Sequence, residues 1–381
     1  MTALLLATAL AQAPWPMHTI DRASQGADGV RLHDVNGDGR LDIVTGGEQG
    51  GVIRVCYQPG RDKTREAWPC ETVGRVGDPE DAVAVDLDGD GRVDVVSSSE
   101  GRTRAMHVHW NRASGWMTEA LPAAQGAMQW MFALPFEVDG KHGVDLVAAG
   151  KNEGAWLGWF EAPADARDLK AWRWRPIRRV GWVMSIEAAD MNGDGRPDLL
   201  VSDRRGEQRG VFWLENTGRG DWPEHAIGGE DREVMFLTRA DLDGDGLEDV
   251  LTAAKPREIL FHRRLDRTGR KWETSRISLP ARAGTAKAVR VADLDGDGQP
   301  EIVFSCEAAT GALEGVMMLK RVDGEWRAHS IAGAAGVKYD LIELLDLTGN
   351  GLPDILTCEE TDNLGVIWYE NPGKAKGPGG N

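Results

Sequence analysis

The sequence predicts an all-β fold, a seven-bladed β-propeller of four-stranded blades, and three observations lead to it. An acidic, glycine-containing segment recurs seven times along the 381 residues, at spacings of 51 to 53 residues. A Trp followed five residues later by an aliphatic residue recurs with the same period. The chain also contains 48 Gly, which suit tight turns, and its 41% hydrophobic residues are enough for a large core. A repeat of about 52 residues accommodates four short strands and their turns, which is one blade.

The acidic segments mark one repeat each. Five of them follow the pattern D-x-[DN]-x-D-G-x-x-[DE] in full, while DLTGNGLPD in the seventh repeat and EVDGKHGVD in the third depart from it. The residues that flank them, such as RVCY, have the composition of strands. Each segment is therefore expected to be a loop between two strands, with one such loop in every blade.

The tryptophan column indicates how the ring closes. Six copies lie between successive acidic loops, and the seventh, Trp15 with Ile20, stands at the start of the chain. No copy follows Asp354, so the N-terminal strand is expected to complete the seventh blade and to leave no long open edge. We expect these tryptophans to pack between blades. They are Trp15, Trp68, Trp116, Trp172, Trp222, Trp272 and Trp326.

The two ends of the chain lie outside the predicted propeller, which spans residues 14–372 as a single domain. Residues 1–13, MTALLLATALAQA, have the apolar core and the small-residue cleavage triplets of a signal peptide. An apolar leader without an export function is the alternative. Residues 373–381 are rich in Gly and are expected to be disordered. We therefore expect a secreted or periplasmic protein.

Four cysteines are too few for a disulfide-built scaffold in a chain of this length. Cys56 and Cys70 are expected on neighbouring strands of the first blade, where a disulfide and two free thiols both stay open. Cys306 and Cys358 occupy the same type of strand in adjacent blades and are expected to be buried thiols.

Charge and motifs exclude several classes of function. The formal net charge of −17 gives no basic footprint for nucleic acid, and no apolar run is long enough to span a membrane. No P-loop, HExxH motif, dinucleotide fingerprint or Ser-His-Asp order is present, and the 8 His form no ligand pattern. We expect neither a nucleic-acid partner nor a membrane-spanning protein.

The acidic loops have the composition of metal sites. In each complete loop, side-chain oxygens stand at positions 1, 3, 5 and 9, and Gly at position 6 allows the sharp turn. Carboxylate-rich, oxygen-only ligands suit Ca²⁺, so we predict five strong calcium sites. Their ligands are Asp34, Asn36, Asp38 and Asp42; Asp86, Asp88, Asp90 and Asp94; Asp190, Asn192, Asp194 and Asp198; Asp241, Asp243, Asp245 and Asp249; and Asp293, Asp295, Asp297 and Glu301.

The two incomplete loops are expected to differ from these five. In the seventh blade, Asp346, Asn350 and Asp354 carry only two formal charges and should bind calcium more weakly. In the third blade, Lys141 stands at position 5, where the complete loops have Asp. We expect no calcium in that loop, with the lysine ammonium in its place.

These repeats resemble those of the FG-GAP/VCBS repeat proteins, whose seven-bladed propellers include the head of integrin α subunits. The resemblance covers about residues 15–372 and is carried by the D-x-D-x-D-G loops and by blade endings such as VFWLEN and VIWYENP. The literal Phe-Gly dipeptide and Gly-Ala-Pro tripeptide are absent, which places the match in the bacterial VCBS branch. The resemblance implies a propeller with structural calcium. It does not imply one function, because members include adhesion modules, lectins and parts of polysaccharide lyases and sugar dehydratases.

The same resemblance locates a candidate ligand site. In such propellers the calcium loop joins the innermost strand to the second strand at one face, so the second strand ends at the opposite face. Six residues past the last acid of each loop, all seven residues are charged, with an acidic arc from blades 6, 7, 1 and 2 and a basic arc from blades 3, 4 and 5. These residues are Glu48, Glu100, Lys151, Arg204, Lys255, Glu307 and Glu360. Six residues before each loop stand Asp28, Glu80, Met131, Met184, Met235, Lys287 and Asp340, and Trp130, Lys338 and Tyr339 are expected near the same channel mouth.

Several interpretations of this ring stay open. We favour a site for a polar ligand, a carbohydrate or a ligand with an anionic group. A ring of solvated ion pairs, each worth little, is the simplest alternative. A lysine or tyrosine that removes a proton beside a glutamate that donates one would support a sugar lyase or dehydratase, although no catalytic residue is assigned. A scaffold for protein partners or adhesion is the third alternative.

Overall fold

Seven four-stranded antiparallel sheets form the blades of a seven-bladed β-propeller, as the sequence predicts. This computed structural model describes residues 13–373. The predicted leader and tail therefore lie, except for residues 13 and 373, outside the described residues. Apart from strands, the described chain forms two short 3-10 helices, at Arg61–Lys63 and Pro122–Ala124.

Each of blades 1 to 6 is a simple meander in which neighbouring strands are consecutive in the chain. Blades 1 to 3 are β2 (Ala27–His33), β3 (Asp42–Gly47), β4 (Val52–Cys56) and β5 (Cys70–Arg75); β6 (Pro79–Val85), β7 (Asp94–Ser99), β8 (Ala105–Arg112) and β9 (Gly115–Ala120); and β10 (Gln129–Phe136), β11 (Asp145–Lys151), β12 (Trp156–Glu161) and β13 (Arg173–Arg179). Blades 4 and 5 are β14 (Val183–Ala189), β15 (Asp198–Asp203), β16 (Gly210–Leu214) and β17 (Glu224–Gly228); and β18 (Val234–Ala240), β19 (Asp249–Ala254), β20 (Glu258–Arg264) and β21 (Trp272–Ser278). Blade 6 is β22 (Thr285–Ala292), β23 (Glu301–Glu307), β24 (Val316–Val322) and β25 (Glu325–Ser330).

The seventh blade combines the two ends of the described chain. It contains β26 (Tyr339–Leu345), β27 (Asp354–Glu359) and β28 (Gly365–Tyr369), and its outer strand is β1 (Met17–Asp21). β1 runs antiparallel to β28, with Met17 opposite Tyr369. The backbone N–H of Trp15 donates to the carbonyl of Ile331 at 3.0 Å, so the segment before β1 is also hydrogen-bonded to blade 6.

The last acid of each acidic loop ties the loop to the third strand of its blade. Asp42 is fully buried, and its carboxylate accepts the backbone N–H groups of Val35 at 3.0 Å and Gln58 at 2.9 Å. Asp145, in the degenerate loop of blade 3, does the same for Val138 and Ala162. The acid at position 9 is therefore a structural acceptor in its own right, which explains its presence in a loop where Lys141 replaces the acid of position 5.

Burial follows the place of a strand within its blade. The second strands β3, β7, β15, β19 and β27 are buried along their whole length, because neighbouring blades cover both of their faces. The outer strand β21 is mostly exposed. The largest fully buried side chains are those of Trp110, Trp130, Trp213 and Trp368. Apolar packing between blades thus forms the core.

The four cysteines divide into one pair and two single thiols. Cys56 and Cys70, which stand opposite each other on β4 and β5, form a disulfide. Cys306 and Cys358 are free and buried. Among residues 13–373, no helix has the length and apolar character that crossing a membrane requires.

Candidate ligand site at the channel mouth

The strand register brings the predicted charged residues to one end of the blades. In blade 1 the acidic loop follows the pairing of His33 with Asp42, whereas Asp28 pairs with Gly46 toward the other end of the same two strands. The backbone N–H of Glu48 then donates to the carbonyl of Gly26 at 2.8 Å. Four other blades repeat this bond 22 residues apart, in Glu100 to Asp78, Arg204 to Trp182, Lys255 to Glu233, and Glu360 to Lys338. We call the charged residues at this end the channel mouth. They are Asp28, Glu48, Glu80, Glu100, Lys151, Arg204, Glu233, Lys255, Lys287, Glu307, Lys338, Asp340 and Glu360.

Ion pairs link neighbouring blades across the mouth. The ammonium of Lys151 in blade 3 contacts Glu100 in blade 2, and that of Lys255 in blade 5 contacts Glu307 in blade 6. Lys287 lies 3.1 Å from Asp340 and 3.6 Å from Glu307. Within blade 7, Lys338 contacts Glu360, and between blades 4 and 5, Arg204 lies 3.0 Å from Glu233. Every lysine of the mouth thus has a carboxylate partner.

The acidic arc contains carboxylates without such partners. Among the described residues, no lysine or arginine forms an ion pair with Asp28 or Glu48. Asp28, Glu48 and Glu360 form one group, in which one carboxylate oxygen of each residue lies within 4.8 Å of one oxygen of each of the other two. Glu48, Glu80 and Glu100 form a second group of the same kind. Glu48 therefore stands where two groups of acids meet.

Burial and mutual repulsion shift the pKa values of these acids. Burial, followed by the charges of Asp340 and Glu80, raises the pKa of Asp28 well above its usual range. Burial, together with the charges of Glu80 and Glu360, also raises the pKa of Glu48. Burial opposes ionisation of Asp340 as well, but the charge of Lys287 outweighs it and lowers the pKa of that carboxyl. The mouth therefore carries more carboxyl groups than its cations can neutralise.

A tryptophan surrounded by cations occupies the basic arc. The ammonium of Lys151 and the guanidinium of Arg204 each lie 4.5 Å from the ring centroid of Trp182, and the guanidinium of Arg205 lies 4.8 Å from it. The carboxylate of Asp203 accepts the backbone N–H of Trp182 at 2.7 Å and fixes this turn. Cation–π contacts of this kind hold the basic side chains beside the mouth.

Two predicted lining residues lie in the core instead. Trp130 is fully buried, packs against Phe160 and Trp174, and donates its indole N–H to the carbonyl of Ala124 at 2.9 Å. Tyr339 is also fully buried, and its hydroxyl donates to a backbone carbonyl. Neither side chain is available to a ligand, so the prediction that they line the mouth is wrong.

Three methionines that the sequence places near the mouth lie in the core, and one glutamate of the mouth was not predicted. Met131, Met184 and Met235 are buried in the central apolar cluster. Glu233, which pairs with Arg204, was missed, because it lies outside the two columns of residues that flank each loop. A third column, 22 residues before each charged position, would have found it, since that column also contains Lys338 and Trp182.

The acidic loops at the other end of the strands hold their carboxylates close together. In blade 2, one carboxylate oxygen of each of Asp86, Asp88 and Asp94 lies within 4.8 Å of one oxygen of each of the other two. Asp241, Asp243 and Asp249 form the equivalent group in blade 5. These donor sets fit a hard cation that takes oxygen ligands.

Basic side chains also contact the loops. The guanidinium of Arg167 lies 2.5 Å from Asp88, Arg263 lies 2.5 Å from Asp243, and Lys320 lies 2.7 Å from Asp297. In the degenerate loop, Lys141 lies 2.8 Å from Asp139. These cations partly neutralise the carboxylates of each loop.

Fold, repeats and mouth together define a class, a seven-bladed propeller built from acidic-loop repeats with a charged channel mouth. The FG-GAP-like repeat family matches residues 34–97, 137–201 and 241–304, and the chain belongs to this family.

Solved structures with a similar fold differ widely in sequence. A streptogramin B lyase structure has a TM-score of 0.60 at 11% identity, covering 93% of this chain and 97% of that one. BBS1N in complex with ARL6DN, soaked with mercury, has a TM-score of 0.55 at 10% identity, covering 96% of this chain and 100% of that one. No curated protein sequence matches the chain. At these identities the likeness concerns the fold alone.

Proposed function

We propose that the protein is an exported, calcium-stabilised propeller that binds a polar ligand, a carbohydrate bearing an amino group, at the channel mouth. The observation that carries the proposal is the imbalance of charge there. Each lysine of the mouth already forms an ion pair with a carboxylate, whereas neither Asp28 nor Glu48 forms an ion pair among the described residues, and lysines act on these two acids only through charge at longer range. A protonated amine on the ligand would supply the missing positive charge.

Glu48 is the central residue of the proposed amine site. An ammonium group has three donors, and the acids on either side of Glu48 offer several acceptor oxygens within a few ångströms. Because the pKa values of Asp28 and Glu48 are raised, binding of a cation would release protons from these carboxyls. Hydroxyl groups of the same ligand would face Arg204, Arg205 and the ring of Trp182 in the basic arc.

Calcium is proposed at the complete acidic loops because the carboxylates converge there. Bound Ca²⁺ would supply positive charge that offsets the repulsion among the acids of one loop. Asp94 and Asp249 would each contribute an oxygen while still accepting backbone N–H groups, since a carboxylate has about four lone-pair positions. In this way a loop would be tied both to its ion and to the third strand.

Export is supported by two features. The leader sequence has the composition of a signal peptide, and the disulfide between Cys56 and Cys70 is typical of proteins in an oxidising compartment. Both agree with a secreted or periplasmic location.

A lyase or dehydratase activity at the same mouth is the second candidate. Asp28 and Asp340 hydrogen-bond to each other through their side chains, with the pKa of the first raised and that of the second lowered. Such a pair provides a general acid beside a general base. Lys287 does not suit the role of base, because burial lowers its pKa but the charges of Asp340 and other nearby acids outweigh burial and raise it. Tyr339 does not suit the role either, because it is buried.

Calorimetric titration with a glucosamine hexamer, and with its fully N-acetylated form, tests the proposal. We expect the free amine form to bind, the acetylated form to bind much more weakly, and Glu48→Gln to weaken binding by about tenfold or more. Glu66→Gln, at an exposed position between β4 and β5 at the other end of the blade, is the matched control. Equal binding of both hexamers, or unchanged binding by Glu48→Gln, would refute the amine site. A rise in ultraviolet absorbance during incubation would identify an eliminating enzyme.

A further inference from the structure

A second cavity, separate from the channel mouth, opens between blades 3 and 4 on the side of the acidic loops. Its volume is about 780 Å³, and it is lined by Asp139 and Lys141 of the degenerate loop and by two tryptophans, Trp159 and Trp222. This size is in the range of small-molecule sites. The incomplete loop of blade 3 thus forms one wall of a groove that the predicted metal chemistry does not use.

The register of blade 3 places polar groups beside the first tryptophan. Trp159 on β12 stands opposite Arg175 on β13, and Glu161 follows two residues later on the same face. The guanidinium of Arg175 donates two hydrogen bonds to Glu161, at 2.9 and 2.6 Å. Blade 4 contributes the opposite wall from residues 216–222, between β16 and β17.

The repeat provides an internal comparison for this groove. At the equivalent place between blades 5 and 6 the cavity has a volume of only about 280 Å³, with Phe261 in place of Trp159 and Trp326 in place of Trp222. There the guanidinium of Arg321 lies 6.0 Å from the ring centroid of Trp326. Within residues 13–373, no cation or aromatic ring stacks on Trp159 or Trp222. Trp159 is itself buried in the apolar cluster between blades 3 and 4, and Trp222 is partly buried against that cluster, so the groove offers the remaining exposed part of the Trp222 ring.

The charges around the groove are balanced. Asp139, Glu161 and Asp221 are acidic, and Lys141, Arg175 and Arg219 are basic. A balanced set of charges favours neither a cation nor an anion, while it supplies many donors and acceptors for hydroxyl groups. The apolar face of a sugar ring can be buried against an indole at the same time.

We propose that this groove binds a neutral saccharide, with one sugar ring against Trp222 and its hydroxyl groups facing Arg175, Glu161 and Asp221. The site is independent of the amine site at the channel mouth, because it lies at the other end of the strands and its lining carries no net charge. The protein would then hold two chemically different ligand groups at opposite faces.

Four neutral hexasaccharides test this inference: cellohexaose, maltohexaose, mannohexaose and xylohexaose, each titrated at about 1 mM by calorimetry. We expect at least one to bind, with a loss of about tenfold or more in Trp222→Ala. Trp326→Ala, the equivalent tryptophan of the small groove, is the matched control and should keep wild-type binding.

Arg175→Ala tests the groove by a change that should not unfold the protein, because Arg175 is exposed and its removal leaves the core intact. It should weaken the same saccharide while leaving the thermal transition in place. The inference would be overturned if none of the four hexasaccharides binds. It would equally be overturned if Trp222→Ala binds as the wild type does, or if Trp326→Ala loses as much affinity as Trp222→Ala.

Discussion

Replacement of Lys287 by methionine distinguishes two descriptions of the channel mouth, as a buried set of coupled charges or as a ring of solvated ion pairs. Lys287 is only 8% exposed, and its ammonium lies 3.1 Å from Asp340, which is 4% exposed. Removal of one partner of a buried ion pair leaves an uncompensated charge and costs about 3–5 kcal/mol. We expect Lys287→Met to lower the free energy of unfolding by about that amount in urea at neutral pH.

Lys141 offers a matched control for this measurement. Its ammonium forms a pair with Asp139 at 2.8 Å, but its side chain is 62% exposed. Exposed pairs of this kind contribute about 0–1 kcal/mol, so Lys141→Met should have little effect. The double variant Lys287→Met with Asp340→Asn should recover more than about 1 kcal/mol relative to the sum of the single changes.

The stability cost of Lys287→Met should depend on pH in a direction that follows from the pKa of Asp340. Without Lys287, Asp340 loses the charge that lowers its pKa, so burial should raise the folded-state pKa above the unfolded one. A raised carboxyl pKa stabilises the fold only at low pH, and that stability is lost as pH rises. The cost of Lys287→Met should therefore shrink below about pH 4. Equal costs for Lys287→Met and Lys141→Met would refute the description of the mouth as buried and coupled.

Four further predictions concern stability and metal binding. Burial lowers the pKa of His109 to about 3 and of His262 to about 4, so stability should be lost as pH falls below about 6.5, by about 2 kcal/mol for each at pH 5. The variant His109→Gln with His262→Gln should flatten this dependence in urea unfolding, whereas the exposed His142→Gln should not. Reduction of the disulfide, or Cys56→Ser with Cys70→Ser, should cost about 3 kcal/mol by calorimetry, since it releases a loop with a sequence separation of 14. Asp145→Ala should destabilise the protein by about 2 kcal/mol or more with and without chelator, because two backbone N–H groups lose their acceptor; a cost that appears only with calcium would contradict this. Elemental analysis should find between five and six calcium ions per chain, one fewer after Asp88→Asn and the same number after Asp139→Asn.

The number and place of the blades could be predicted from the sequence because the repeat is regular. The period of about 52 residues fixes one sheet per repeat, and the antiparallel register then carries each charged residue to one end of its blade. Glu48 and Lys255, by their backbone hydrogen bonds, and Lys151, by its pairing with Gln129, lie where a fixed offset from the loop predicts.

The side of the strand on which a residue lies could not be predicted in the same way. The innermost strands contain irregularities of register, between Trp130 and Phe132 in blade 3 and between Tyr339 and Ile342 in blade 7. An extra residue at such a bulge reverses the alternation of side chains. Tyr339 points into the core between Lys338 and Asp340, which reach the mouth, whereas Trp130 points into the core beside Met131, which is buried as well.

The ion pairs of the mouth could not be predicted from the sequence either. The two arcs suggested free basic groups for an anionic ligand, but lysine side chains reach across blade boundaries and neutralise the nearest acids, as Lys255 does with Glu307. The residual charge, and with it the proposed ligand, follows from those contacts. The groove beside Trp222 was missed for a similar reason, because its two walls come from different repeats.

A crystal structure of the protein grown with calcium and soaked with the glucosamine hexamer tests the central claim most directly. We predict density for a sugar amine between Glu48 and Asp28 at the channel mouth, with calcium at the complete acidic loops at the other end of the strands. Sugar density only at another surface, with Glu48 and Asp28 free of ligand, would contradict the account.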